Sequence, residues 1–198
     1  MYLLKQINSP CRRRVSGLTL IELMVTIAIL AVLMGLAAPS MARFVGQWRV
    51  SNAVNALTGS LRLARTEAIA RGRVVVICSV PSNSSTSCKS STGTDAYASG
   101  WIVFANNDGN SGLTFSEIDG DELLLRQETL AGIADITLKN GGKFVFYPNG
   151  LTNLSSANGV NVDASGYVST SKTPWARKAL CISKDGRIRY VADNSDCD

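Results

Sequence analysis

No histidine occurs anywhere in the 198 residues. That absence excludes Ser-His-Asp triads, Cys-His dyads and His-ligated zinc. Charge is scarce too: Asp, Glu, Lys and Arg make up 18% of the chain against 45% hydrophobic residues. Such a composition suits one domain with a real core, not a disordered polyampholyte, and 17 glycines with 5 prolines are too few for a fibrous repeat. There is no phosphate-binding glycine loop, no nucleophile beside a base, and no Cys-x2-Cys pair. Asp121 and Glu122 are adjacent, so on a strand their side chains point to opposite faces. Nothing in the residues indicates an enzyme, and no cofactor or metal is expected.

What charge there is lies unevenly. Residues 1–17 hold Lys5, Arg12, Arg13 and Arg14 and no acid. After this basic segment, residues 18–38 read LTLIELMVTIAILAVLMGLAA, apolar throughout except for Glu22 and a few small polar residues. As a helix the run spans roughly 31 Å, about one bilayer core. The basic flank stays cytoplasmic under the positive-inside rule, so the remainder is exported. The run is longer than a secretory signal core, and the bland reading is a plain membrane anchor. Gly17 and Glu22 speak against that reading. An ionisable group at membrane depth costs up to roughly 3 kcal/mol and marks a partner. A cut after Gly17 would free the amino group of Leu18, and one copy's amine could then neutralise a neighbour's Glu22 within the apolar layer.

Gly17-Leu18-Thr19-Leu20-Ile21-Glu22-Leu23 resembles the class III leader junction of type IV pilins and pseudopilins. The resemblance implies cleavage by prepilin peptidase between Gly17 and Leu18, N-methylation of Leu18, and an assembly role for Glu22. Leu18 stands where the family usually has Phe. The expected organisation is a leader over 1–17, a transmembrane and assembly helix over 18–39, an amphipathic continuation over 40–72 and an exported head over 73–198.

Gly35 and Pro39 are expected to kink or locally melt the helix. Beyond them Met41, Phe44, Val45, Trp48, Val54, Leu57, Leu61, Ala64 and Ala68 form one apolar stripe, while Arg43, Arg49, Arg62, Arg65 and Arg71 read as a solvated face, with neighbouring subunits or DNA as their alternative partners. Gly72 marks the stop. Eight β-rich runs follow, at Val74–Ser79, Trp101–Ala105, Leu123–Glu128, Ile133–Leu138, Lys143–Tyr147, Asn161–Ala164, Lys178–Ser183 and Arg187–Val191, separated by turn residues. The fold class is α+β, a long N-terminal helix packed on an antiparallel β-sheet head.

The order of Ser60–Ile69, Arg71-Gly72-Arg73, Gly100-Trp101-Ile102-Val103-Phe104, Glu122–Arg126, Leu180-Cys181-Ile182-Ser183 and Gly186-Arg187-Ile188-Arg189 resembles the FimT/GspH group of minor pilins and pseudopilins. The resemblance runs from Gly17 nearly to the C-terminus. It implies a subunit of a bacterial filament, anchored in the inner membrane before assembly and sitting near the tip of a pilus, with other pilins as partners.

Cys11 belongs to the expected leader. Cys78, Cys88, Cys181 and Cys197 remain in the exported part, which suggests two disulfides with three possible connectivities. Cys78–Cys88 and Cys181–Cys197 close the shortest loops and are favoured; the rival, a four-cysteine zinc site, lacks the usual ligand spacing.

Residues 172–191 hold Lys172, Arg177, Lys178, Lys184, Arg187 and Arg189 against Asp185 alone, whereas residues 95–135 hold eight acids and one arginine. Such a patch attracts phosphate although residues 18–198 together are nearly neutral. Arg187 and Arg189 are two apart, so on a strand they share a face, and Gly186 permits close backbone approach. The Gly186-Arg187-Ile188-Arg189 run resembles the G-R-x-R motif of FimT-type minor pilins that bind DNA in natural transformation, which implies salt-sensitive binding of double-stranded DNA. Trp175 and Tyr190 could stack on bases or simply pack on the sheet. The alternative is a GspH-like minor pseudopilin of a type II secretion system, structural and without DNA affinity. Asn106, Asp108, Asn110 and Glu117 fall at EF-hand spacing, but Ser111 replaces the required glycine, so an acidic solvated loop is the better reading.

Overall fold

The computed structural model describes residues 17–89, 97–107, 114–139, 142–166, 174–191, 193 and 196–197. Residues 1–16 of the expected leader, Lys172, Asp108 and Asn110 lie outside the described residues. One helix, α1 (Leu20–Arg71), precedes eight strands: β1 (Val74–Ser79), β2 (Trp101–Asn106), β3 (Glu122–Gln127), β4 (Ile133–Leu138), β5 (Lys143–Phe146), β6 (Asn158–Ala164), β7 (Arg177–Ile182) and β8 (Ile188–Val191). The chain divides into two units, Met1–Ser40 and Met41–Asp198.

In the first unit Thr19 caps the helix. Its hydroxyl accepts from the Glu22 amide at 3.3 Å, and its carbonyl accepts from the Leu23 amide at 3.1 Å. Thr19-Leu20-Ile21-Glu22 is thus a capping sequence, and the acid sits in the first turn, where the helix dipole favours negative charge. Leu20–Ala38 has a mean hydropathy of 2.5 and is long enough to cross a membrane. The local melting expected at Gly35 and Pro39 does not occur: α1 keeps helical backbone through both. Proline forfeits one hydrogen bond, to the carbonyl of Gly35, and the bonds on either side continue the turn.

In the second unit α1 ends at Arg71, and Gly72 takes a φ of 64°, the left-handed stop that a residue with Cβ resists. The strands form two four-stranded antiparallel sheets, β3-β2-β1-β5 and β4-β6-β7-β8, where the sequence suggested one. All eight expected strands exist. β6 starts three residues earlier than expected, because Asn158 and Gly159 pair with Ile182 and Cys181 instead of turning. β8 starts at Ile188, which leaves Arg187 in the preceding turn.

The core lies where α1 meets both sheets. Val54, Leu57, Leu61, Ala64 and Ala68 are buried with Val75, Ile77, Val103 and Phe144 of the first sheet and Val160, Val162, Leu180 and Ile182 of the second. The alternate residues Val76, Cys78, Ile102, Phe104 and Val145 form a second cluster, with Phe115 set edge-on to Phe104. Both faces of the first sheet are therefore covered, and β1 and β2 read as continuous apolar runs. Met41, Phe44 and Trp48, expected to continue the core stripe, are instead exposed. Val50 and Ala53 bury in their place.

Candidate nucleic-acid interface

The β7–β8 hairpin turns through Ser183-Lys184-Asp185-Gly186. The Gly186 amide donates to the Ser183 carbonyl at 2.9 Å, and the Ser183 amide to the Arg187 carbonyl at 3.0 Å. Gly186 has a φ of 72°, and a Cβ there would lie 3.2 Å from both Arg65 Nε and the Gly150 carbonyl oxygen. The glycine of the G-R-x-R run is therefore needed twice, for its backbone conformation and for its clearance. The turn is held from beneath. Arg65 of α1 donates from Nη1 to the Gly186 carbonyl at 3.3 Å, and the Thr152 amide donates to the Lys184 carbonyl at 2.8 Å.

On this support Arg187 and Arg189 face solvent. Arg187 Nε is 3.1 Å from Asp185 Oδ2, in a pair whose arginine side chain is 85% exposed. Such an exposed pair is weak and readily exchanged for another anion. Asp185 is held below the usual carboxylate range, first by the hydrogen bond from the Ser183 hydroxyl and further by the Arg187 charge. Arg189 donates from Nη2 to the Asp196 carbonyl at 3.3 Å. Tyr190 is exposed beside it.

The other expected phosphate ligands divide. Lys184 is exposed on the same turn. Arg177 is not available. Its Nε and Nη2 bind the two carboxylate oxygens of Asp163 at 2.7 and 2.9 Å, and its Nη1 binds Asp193 at 2.6 Å. These bonds raise the Arg177 pKa, that to Asp163 most strongly. Lys178 points to the helix and donates to the Ser51 hydroxyl at 2.8 Å. Alternation explains the split: Lys178, Leu180 and Ile182 face α1, while Arg177 projects the other way. Trp175 packs on α1 where Gly46 leaves room, since a Cβ at Gly46 would fall 2.9 Å from its ring, so it is not a stacking platform.

Between α1 and the hairpin runs a groove of about 820 Å³, lined by Leu61, Arg62, Arg65 and Thr66 of the helix and by Asp185, Gly186, Arg187, Ile188 and Arg189, among others. Four arginines and one carboxylate give it a strongly positive lining. The helical arginines were legible as a solvated face, with neighbouring subunits or DNA as alternative partners, but not as one wall of this groove. Their three-residue spacing carries no hint of which strand lies opposite.

Two disulfides brace the head. Cys78 bonds Cys88 across the start of the long polar loop, and Cys181 of β7 bonds Cys197, fastening the C-terminal segment against the hairpin. On the β2–β3 loop the Asp121 carboxylate accepts from the Asn107 and Ser116 amides at 2.8 and 3.0 Å, a closure made by backbone donors. Among the described residues no cluster of acids and cysteines could hold a metal ion.

The family model for the type II transport protein GspH matches residues 53–186, and that for the prokaryotic N-terminal methylation motif matches residues 12–38. The chain belongs to the GspH family. It is accordingly a minor pilin or pseudopilin, a structural subunit of the kind that assembles with other pilin subunits, and its methylation motif implies processing by prepilin peptidase. The type IV minor pilin FimU of Pseudomonas aeruginosa shares the fold, with a TM-score of 0.52 at 16% identity over 78% of this chain and 96% of that one. The minor pseudopilin EpsH from the type 2 secretion system of Vibrio cholerae superposes at a TM-score of 0.47 and 11% identity over 72% and 96%. No curated protein matches the chain.

Proposed function

We propose that this GspH-family subunit serves in a type IV pilus and binds double-stranded DNA through its C-terminal hairpin, as a step in DNA uptake during natural transformation. The observation that carries the reading is the presentation of Arg187 and Arg189. Arg187, on a turn that Gly186, Arg65 and Thr152 hold in place, and Arg189, beside it on β8, both stand exposed, and the adjoining groove is lined by two further arginines. Preorganised guanidinium groups suit phosphate oxygens and read no sequence, so binding is expected to be sequence-independent and salt-sensitive.

The rest of the proposal concerns assembly. Cleavage after Gly17 would leave Leu18 as a methylated N-terminus and remove residues 1–17. Residues 18–39 would hold the subunit in the inner membrane, with residues 40–72 and the head over 73–198 in the periplasm, an oxidising compartment that suits two disulfides. Glu22 would pair with the amine of a neighbouring subunit. Its place in the first helical turn puts the carboxylate next to the end of the chain that cleavage would create.

A second reading, a pseudopilin of a type II secretion system without DNA affinity, is favoured by the description of the matching family model itself. One experiment separates the two. DNA binding by the full chain in detergent is measured across a salt series, for the wild type and for Arg187→Ala/Arg189→Ala. Salt-dependent binding whose log–log slope falls by about 2 in the double variant supports the pilus reading. Equal slopes in the two proteins reject the hairpin as the site, whatever the basic residues 1–17 contribute to both. No binding by either leaves the secretion reading.

A further inference from the structure

We infer that Arg62 of α1 is a second phosphate-binding residue, so that the nucleic-acid interface is the whole groove between α1 and the β7–β8 hairpin. The inference rests on the DNA-binding reading and extends it to an element that the hairpin motif does not contain.

The groove sets Arg62 and Arg65 of α1 against Arg187 and Arg189 in one concave surface. The two helical arginines have different tasks. Arg65 is half-buried and committed, its guanidinium under the Gly186 carbonyl and within 4 Å of where a Cβ on Gly150 would stand. It is a positioning residue for the turn. Arg62 lies about one helical turn earlier and is exposed. Glu67, the acid of this stretch of helix, is engaged by Arg71 and so does not neutralise Arg62 locally. Among the described residues Asp185 is the one carboxylate of the lining, and it already faces Arg187. A phosphodiester strand seated against Arg187 and Arg189 therefore meets a positive wall on the helix side. Two walls of arginine fix the strand's path along the groove, which a two-residue patch on a hairpin tip cannot do.

The test uses the full chain in detergent with a short DNA duplex and compares the wild type and four variants over a salt series. Arg62→Ala is expected to weaken binding several-fold and to lower the slope of log affinity against log salt by about 0.9, the loss of one phosphate contact. Arg62→Lys should restore the slope. Arg73→Ala removes the same charge from an exposed site outside the groove and should leave the slope unchanged. Arg62 is exposed, so none of these changes should move the unfolding midpoint. If Arg62→Ala and Arg73→Ala bind alike while Arg187→Ala/Arg189→Ala loses binding, the extension to α1 is wrong and the hairpin reading stands. If the wild type shows no salt-dependent binding, or if the hairpin variant binds as the wild type does, both fall.

Discussion

Replacing Arg177 by leucine tests whether the basic run of the C-terminal hairpin is one functional surface or two. Asp163 is 13% exposed and Arg177 27% exposed at the side chain, and three hydrogen bonds join Arg177 to Asp163 and Asp193. Removing the guanidinium leaves a mostly buried carboxylate on β6 without its bidentate partner. Breaking a fully buried pair from one side costs about 3–5 kcal/mol, and the residual exposure here reduces that to about 2–3 kcal/mol. For a head of this size the melting midpoint should fall by roughly 4–10 °C. Arg177→Leu/Asp163→Leu should recover most of the loss, because the mostly buried carboxylate goes with its partner and the Asp193 side chain is 37% exposed. Thermal unfolding followed by tryptophan fluorescence measures the shift, and the DNA salt series on the same protein should show an unchanged slope. A slope reduced by about 1 with an unchanged midpoint would refute the assignment and return Arg177 to the DNA-binding set.

Two further outcomes concern the frame beneath the site. Gly186→Ala should lower stability by about 1–3 kcal/mol and more than Gly166→Ala, measured by urea midpoint; both glycines have positive φ, but only Gly186 is crowded, by Arg65 and Gly150. Tyr97 is buried and donates to the Ile77 and Gly142 carbonyls at 3.1 and 3.0 Å, and burial pushes its pKa far up. Tyr97→Phe should cost about 1–2 kcal/mol near neutral pH. The folded pKa of Tyr97 is raised, so the unfolded chain ionises first. This contribution is thus intact below about pH 10 and lost above it, and the variant should show a shallower alkaline decline in stability.

The hairpin site was only partly legible beforehand. Gly186, Arg187 and Arg189 fall within one short run and the glycine marks the turn, but the start of β8 at Ile188, which leaves Arg187 in the turn and off the strand face of Arg189, was not legible. Arg177 and Lys178 carry the same charge a few residues away, yet one is bonded across to β6 and the other reaches Ser51 on α1. Strand pairing decides that, and composition cannot show it. Arg65 and Arg62 sit about 120 residues from the hairpin in sequence, so their place under and beside the turn depends on how α1 lies along the second sheet.

By itself, the sequence determined what local chemistry can dictate. The apolar run over residues 18–38, the Gly72 stop and all eight strands follow from hydrophobic period and turn residues, which act over a few positions. The short loops closed by Cys78–Cys88 and Cys181–Cys197 belong to the same class. The tertiary structure alone decided that there are two sheets, that Met41, Phe44 and Trp48 stay outside the core, and which cations remain exposed. Each of those depends on which surfaces meet at long range. Burial of apolar area drives that meeting and is indifferent to sequence order, so a charge is committed or left open according to the acid or carbonyl that the fold brings beside it.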